Sequence, residues 1–275
     1  MRRRGVRTLT LLLVMVTCVP GCRGDRDQGH RLVLTGSSTV APLAGQIAKR
    51  FEAANEGVRV DVQSGGSSRG VADTRAGTAQ IGMVSRSLTS KESDLESFTI
   101  AKDGICMVAH RDNPLSSLSD AQVVGIYTGR YTDWQQVGGR AGPITVINKA
   151  EGRSTLELFL KYFRLKNSEV KAHVVIGDNE QGIKTVSGNP GSIGYVSMGT
   201  AEYGAANGAP IKLLPVGGVT ASLANVRAGR FPLSRPLNLV TRSTPTGLAK
   251  KFIEFARSPA VHDLVEGQYF VPLDI

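Results

Sequence analysis

Short runs of consecutive apolar residues alternate along the chain with segments whose apolar positions recur at three- and four-residue spacing. That is the pattern of strands buried on both faces alternating with amphipathic helices. Leu32-Val33-Leu34 reads as a strand, and 41–54 places Leu43, Ile47, Phe51 and Ala54 on one helical face. Val58 to Val62 alternates like a second strand, Ser68 to Gly77 suits a short helix, and Ile81-Gly82-Met83-Val84 is another buried run. Later, Ile144 to Ile147 reads as a strand. Thr155 to Phe163 carries Leu156, Phe159, Leu160 and Phe163 at i, i+3, i+4 and i+7, an amphipathic helix. Val174 to Ile176, a helix around Gln181 to Ser187, Ile193 to Val196, Leu237 to Val240 and a helix from Thr246 to Arg257 continue the alternation. The alternation predicts an α/β protein with mainly parallel sheets covered on both faces.

The first residues depart from this pattern. Arg2, Arg3, Arg4 and Arg7 precede the apolar run from Leu9 to Val16, which is short for a bilayer span and reads as an export signal. Val19-Pro20-Gly21-Cys22 resembles a bacterial lipobox, which makes Cys22 the candidate lipidated residue and leaves Cys18 as the alternative. Residues 1–21 are then a signal peptide and 22–30 a polar, glycine-containing tether.

Composition adjusts this picture little. Aromatic residues make up only 5% of 275 while Gly numbers 32, which suits many tight strand-to-helix turns. The formal charge of +10 is partly targeting: without its four leader arginines the chain holds 29 basic side chains against 23 acidic ones, a net +6. That excess favours small anions or an anionic membrane surface, and no basic stretch interleaved with aromatics suggests nucleic acid. Cys106, within Gly104 to Val108, reads as a buried strand residue, and His30, His110, His173 and His262 lack ligand spacing, so no metal site and no cofactor are expected.

Three segments share one design, a glycine followed by hydroxyl residues at a helix start: Gly36-Ser37-Ser38-Thr39, Gly65-Gly66-Ser67-Ser68 and Gly152-Arg153-Ser154-Thr155. Unsatisfied amides and the partial positive charge of a helix N-terminus bind anions, glycine permits close approach, and hydroxyls add donors. One such segment alone is more often an N-cap. Three, with the first and third more than a hundred residues apart, suggest an oxyanion held from two lobes. Ser85-Arg86 follows the strand Ile81 to Val84 and is placed at the edge of a sheet, with Arg86 a candidate charged fork to the anion or a salt-bridging residue. Lys149, Arg153 and Arg69 read as solvated or supporting charges.

The ordered set from Gly36-Ser37-Ser38-Thr39-Val40-Ala41-Pro42, through Gly65 to Gly70, Ile81 to Arg86 and Gly191 to Val196, to Pro232-Leu233-Ser234-Arg235-Pro236-Leu237, resembles the phosphate-binding proteins of phosphate ABC transporters, in the type II periplasmic-binding-protein superfamily. The resemblance implies two α/β lobes with a ligand cleft between them, 31–110 plus 236–275 and 111–235, crossing near His110 and Arg235. It also implies a ligand set of Ser37, Ser38, Thr39, Ser67, Ser154 and Thr155, joined by the candidates Ser85 and Arg86. Two departures stand out. Relatives often have Gly-Ser-Gly-Thr where this chain has Gly152-Arg153-Ser154-Thr155, and some place an Asp near Ser85-Arg86. A carboxylate there accepts a proton from phosphate and repels sulfate. Glu151, Asp178 or Glu180 are the alternatives for such an acceptor.

The expected function is therefore that of an exported, lipid-anchored, monomeric receptor, periplasmic or at the cell surface, that delivers phosphate or a similar oxyanion to ABC permease subunits. A phosphate sensor, a binder of another tetrahedral oxyanion and a phosphatase-type hydrolase are the alternatives. The serines read as donors, with no paired His with Asp support and no Walker lysine loop, so no catalytic residue is assigned.

Overall fold

The computed structural model describes residues 30–273, so the leader, Cys22 and most of the tether lie outside the described residues. The first half runs β1 (Arg31–Gly36), α1 (Ala41–Ala54), β2 (Arg59–Ser64), α2 (Ser67–Ala76), β3 (Ile81–Val84) and β4 (Glu96–His110). Each of the first helices returns the chain to a strand parallel with the one before, β2 and β3 flanking β1. α1 starts at a Pro in its first turn and buries Leu43, Ala44, Ile47, Ala48 and Phe51, the stripe expected from the apolar spacing. α2 ends at Gly77, whose φ of 74° is the left-handed cap that glycine supplies without strain.

α3 (Asp120–Tyr127), β5 (Thr145–Lys149), α4 (Ser154–Phe163), β6 (Val174–Ile176), α5 (Asn179–Ser187), β7 (Ser192–Ser197), α6 (Met198–Ala206), β8 (Ile211–Leu214) and α7 (Leu223–Arg227) follow. The chain then returns through β9 (Ser234–Thr241), α8 (Gly247–Ala256) and α9 (His262–Gly267). β5 lies parallel between β6 and β7.

The mainly parallel arrangement expected from the alternation needs correction at the centre. β9 pairs antiparallel with both β3 and β4, and β4 pairs antiparallel with β7 and β8. The strand order is β2-β1-β3-β9-β4-β7-β5-β6, with β8 also on β4. The reason is that β4 and β9 are crossing strands. β4 pairs with β9 along Glu96 to Gly104 and with β7 along Ile105 to Ala109, so one 15-residue strand serves two sheets.

Two apolar cores flank this crossing. One gathers Leu34, Leu43, Ile47, Phe51, Ile81, Met83, Leu237 and Phe252, with the Phe51 and Phe252 rings edge-on at 5.3 Å. The other gathers Ile105, Val108, Tyr127, Trp134, Phe159, Tyr195 and Phe231, with the Phe159 and Tyr195 rings stacked at 3.9 Å. Along β4 the core changes between Ala101 and Ile105, ahead of His110, and along the return it changes between Leu233 and Leu237. Cys106 is fully buried on β4, where burial raises its thiol pKa well above the ordinary value and keeps it a packing residue. Among the described residues no helix is long and apolar enough to cross a membrane.

Candidate functional site

Three of the expected hydroxyl residues, Thr39, Ser85 and Thr155, meet at the seam between the two cores, and the group that joins them is Arg235. Its position on β9 faces Asp103 on β4 in the antiparallel register. Both side chains are buried, Arg235 at 1% and Asp103 at 0% exposure. The Arg235 guanidinium donates to Asp103 Oδ2 from Nε at 3.0 Å and from Nη2 at 2.8 Å. Asp103 Oδ1 in turn accepts from the Gly199 amide. A buried ion pair with its remaining positions bonded is held in one geometry, because any rotation would strand a charge.

The outer guanidinium donors reach three candidate residues. Nη1 donates to Thr155 Oγ1 at 3.0 Å and to Ser85 Oγ at 3.3 Å, and Nη2 donates to Thr39 Oγ1 at 3.2 Å. Thr39 precedes α1, Ser85 follows β3, and Thr155 lies in the first turn of α4. The arginine thus gathers hydroxyls from both sides of the seam. Because a guanidinium only donates, each of these oxygens must accept from it, and each O–H is left to donate elsewhere.

The same polarity runs through the neighbouring groups. Ser37 Oγ accepts from the amides of Thr39 and Val40, closing the turn before α1. Ser67 Oγ, at the start of α2, accepts from the Ser85 amide at 3.2 Å. Thr39 Oγ1 accepts a second bond from Asn179 Nδ2 at 3.0 Å. Ser154 is 2% exposed and its Oγ has no partner among the described residues. Ser38 is half-buried in the same turn as Ser37 and Thr39. The result is a cluster of hydroxyl donors at three helix starts, the chemistry of an oxyanion receptor.

Two glycines permit this convergence. Gly36 has φ 133° and a Cβ there would lie 2.3 Å from the Met83 carbonyl oxygen, so only glycine lets the first loop lie on β3. Gly66 has φ 99°, and a Cβ there would lie 2.7 Å from the Gly152 carbonyl oxygen on the opposite side of the seam.

Arg86 requires a correction. Its guanidinium is not turned to the hydroxyls: Nη1 and Nη2 pair with Glu92 at 2.7 and 2.8 Å, and Nε pairs with Glu157 at 2.6 Å. Glu92 sits in a capping box with Thr89, and hydrogen bonds from Arg86 hold its carboxyl down at about 2. The salt-bridge alternative, not the charged fork, describes Arg86 here.

Of the two alternatives for Lys149, solvated or supporting, the first does not hold. Lys149 is 2% exposed, and its Nζ lies 3.0 Å from Asn179 Oδ1. Burial pulls its pKa down to about 7 against the pull of Asp178, with Arg235 and Arg153 lowering it further. Arg69 is exposed and bonded to Asp73, as a solvated charge. The three candidate proton acceptors are engaged or turned away: Glu151 accepts from Asn167, Asp178 caps α5, and Glu180 is exposed.

Reasoning from motifs missed Arg235, Asp103 and Asn179 as members of the cluster. A signal existed for the first two. Asp103 interrupts the apolar run from Ile100 to Val108, and Arg235 precedes the apolar alternation of β9, each a charge in a strand that otherwise reads as buried.

Comparison with known proteins agrees with this architecture. Over 256 residues the chain is 26% identical to the phosphate-binding protein PstS of Bacillus subtilis, a match covering 91% of this chain and 83% of that protein. Among solved structures, a candidate phosphate ABC transporter substrate-binding protein from Clostridium perfringens, solved with bound phosphate, superposes with a TM-score of 0.82 at 29% identity over 89% of this chain and 100% of its own. An ABC-type phosphate transport receptor from Vibrio cholerae gives 0.73 at 27% identity, over 88% and 100%. The family model described as the PBP superfamily domain matches residues 23–260. With two α/β cores joined through crossing strands and a polar cluster at their seam, the chain belongs to the PBP superfamily.

Proposed function

We propose that this protein is an extracytoplasmic substrate-binding protein that captures phosphate between its two lobes and presents it to the permease subunits of an ABC transporter. The observation that carries the reading is Arg235: one buried guanidinium, oriented by Asp103, polarises hydroxyls contributed from both lobes. Their free O–H groups, the unpartnered Ser154 hydroxyl and the start of α4 then converge on one small tetrahedral acceptor. The phosphate-bound relative from Clostridium perfringens and the Bacillus subtilis protein support phosphate as the ligand.

The lobes divide where the cores change, between Ala101 and Ile105 and between Leu233 and Leu237. Ligand groups are Ser37, Ser38, Thr39, Ser67, Ser85, Ser154 and Thr155, with Lys149 supplying the positive charge that Arg235, neutralised by Asp103, does not. Hydroxyls that accept their protein bonds are donors, not nucleophiles, and this favours capture without turnover. Export and a lipid anchor on Cys22 follow from the leader and lipobox, and the receptor acts as a monomer.

A second reading has one observation in its favour. Glu151 and Asp178 are bonded elsewhere, and Asp103 is committed to Arg235 and the Gly199 amide. A cluster of donors whose neighbouring carboxylates are so engaged does not repel a fully ionised anion. Sulfate or another tetrahedral oxyanion is therefore the alternative cargo. Calorimetric titration with phosphate and then sulfate decides between them. Saturation by one phosphate per chain with sulfate silent supports the first reading; tighter binding of sulfate transfers the cargo; silence to both overturns the receptor.

A further inference from the structure

Arg86, displaced from the hydroxyl cluster, meets Glu157 across the cleft, and the two sit beside groups that Arg235 gathers. Arg86 directly follows Ser85, and Glu157 lies two residues beyond Thr155 in the first turn of α4. The Arg86 side chain is 8% exposed and that of Glu157 is 37% exposed, so the contact lies at the rim. Around it the cleft is closed by further bonds: Ser68 Oγ contacts Glu157 Oε1 at 3.2 Å, and the Ser68 amide donates to the Gly152 carbonyl at 3.2 Å.

The two partners are held unequally. Arg86 is fixed within its own lobe, its guanidinium by Glu92 and its carbonyl by Asn238 Nδ2 at 2.8 Å. Glu92 is itself fixed by the Thr89 amide. Among the described residues the Glu157 carboxylate bonds only to Arg86 and Ser68, both on the far side of the cleft. Opening would therefore leave Arg86 in place with Glu92 and return Glu157 to water.

We infer that Arg86 and Glu157 form a latch, positioning residues that hold the starts of α2 and α4 together over the captured anion and set the rate at which it leaves. The inference rests on the anion-capture reading. Neither side chain contacts the anion. The latch forms only after the lobes have met, so its loss acts on dissociation and leaves encounter alone. Arg86 retains Glu92 in either state, so the latch adds nothing to the stability of the open, ligand-free lobes.

The test is stopped-flow release of phosphate from the full chain and its Glu157→Gln variant, with thermal unfolding of each in the absence of phosphate. Removal of one member of a partly desolvated charge pair is expected to raise the release rate ~10-fold while the association rate stays within about 3-fold. Ligand-free melting should not change, and Ser68→Ala should raise release by a smaller factor. An unchanged release rate, or a loss confined to association, overturns the latch. A fall in ligand-free melting with no change in release would make the pair merely structural and overturn it too. Absence of phosphate binding in the unmodified chain would instead sink the anion-capture reading, so the two failures are distinguishable.

Discussion

Arg235 Nη1 donates to Thr155 Oγ1 at 3.0 Å, so a residue on the returning strand β9 fixes the first turn of α4, 80 positions earlier in the chain. Through Thr39 and Ser85 the same guanidinium holds loops from the other core. The cleft is therefore organised around a charge that is buried with its own counter-ion.

Removing that charge should separate binding from stability. Arg235→Ala leaves Asp103 buried and unpaired, and should cost about 3–5 kcal/mol in denaturant unfolding as well as abolish phosphate binding. Replacing the pair together, Arg235→Met with Asp103→Leu, should recover most of the stability and none of the binding. Restored binding in the double variant would remove Arg235 from the site.

Thr155→Ala deletes one polarised donor from a well-packed turn. Loss of a hydrogen bond to a charged ligand should weaken phosphate by about 1.5–3 kcal/mol, roughly ten- to a hundredfold, with the unfolding transition little changed. Thr155→Ser should retain most of the affinity. Equal affinity in all three proteins would leave Thr155 a helix residue only.

Lys149 should couple binding to protons. Its pKa stands at about 7 because it is buried, so above that pH the amine is largely neutral. An anion beside it favours the charged form, and binding at pH 8 should take up a proton. Calorimetry in buffers of different ionisation enthalpy measures the uptake, and it should vanish in Lys149→Met. Stability has the opposite reference: the folded pKa lies below the ordinary 10.5, so the unfolded chain binds more protons between those values. The contribution of Lys149 therefore makes the fold gain stability as pH rises through that window.

Glu92 should report on acid. Its carboxyl is held down at about 2 from an ordinary 4.5, chiefly by hydrogen bonding from Arg86. A depressed carboxyl gives stability that is complete above the unfolded pKa and is lost as pH falls from about 4.5 towards 2, of order 3 kcal/mol. Glu92→Gln should flatten that part of the stability profile. An identical acid limb in both proteins would show that the pair is not formed in solution.

Gly66→Ala tests the closed cleft. A methyl group there meets the Gly152 carbonyl oxygen at 2.7 Å and occupies a backbone φ of 99° that side chains rarely adopt. Phosphate affinity should fall at least about tenfold through loss of closure, beyond the local strain read from ligand-free unfolding. Full affinity would place the glycine outside the closing surfaces.

Much of this protein was readable from local pattern. The spacing of Leu43, Ile47 and Phe51, the run Leu156 to Phe163, and the hydroxyl loops before α1, α2 and α4 are set by periodicity and turn chemistry within a few residues, and each formed where it was expected. The type of ligand followed as well, because helix starts with glycine and hydroxyls carry the same donors in any fold.

What only the tertiary structure decided is which charges meet. Arg86 stands in sequence beside a site residue, yet the rim gives it Glu92 and Glu157; Arg235 stands in a strand far along the chain, yet the antiparallel register sets it opposite Asp103. Lys149 reads as either a solvated or a supporting charge, and only the fold buries it against Asn179. Hydrophobic period specifies which face of an element is buried, and it says nothing of the partner presented by a strand returning from more than a hundred residues away. Ion pairing depends on that partner, because a buried charge is tolerated only where a distant segment brings its counter-charge.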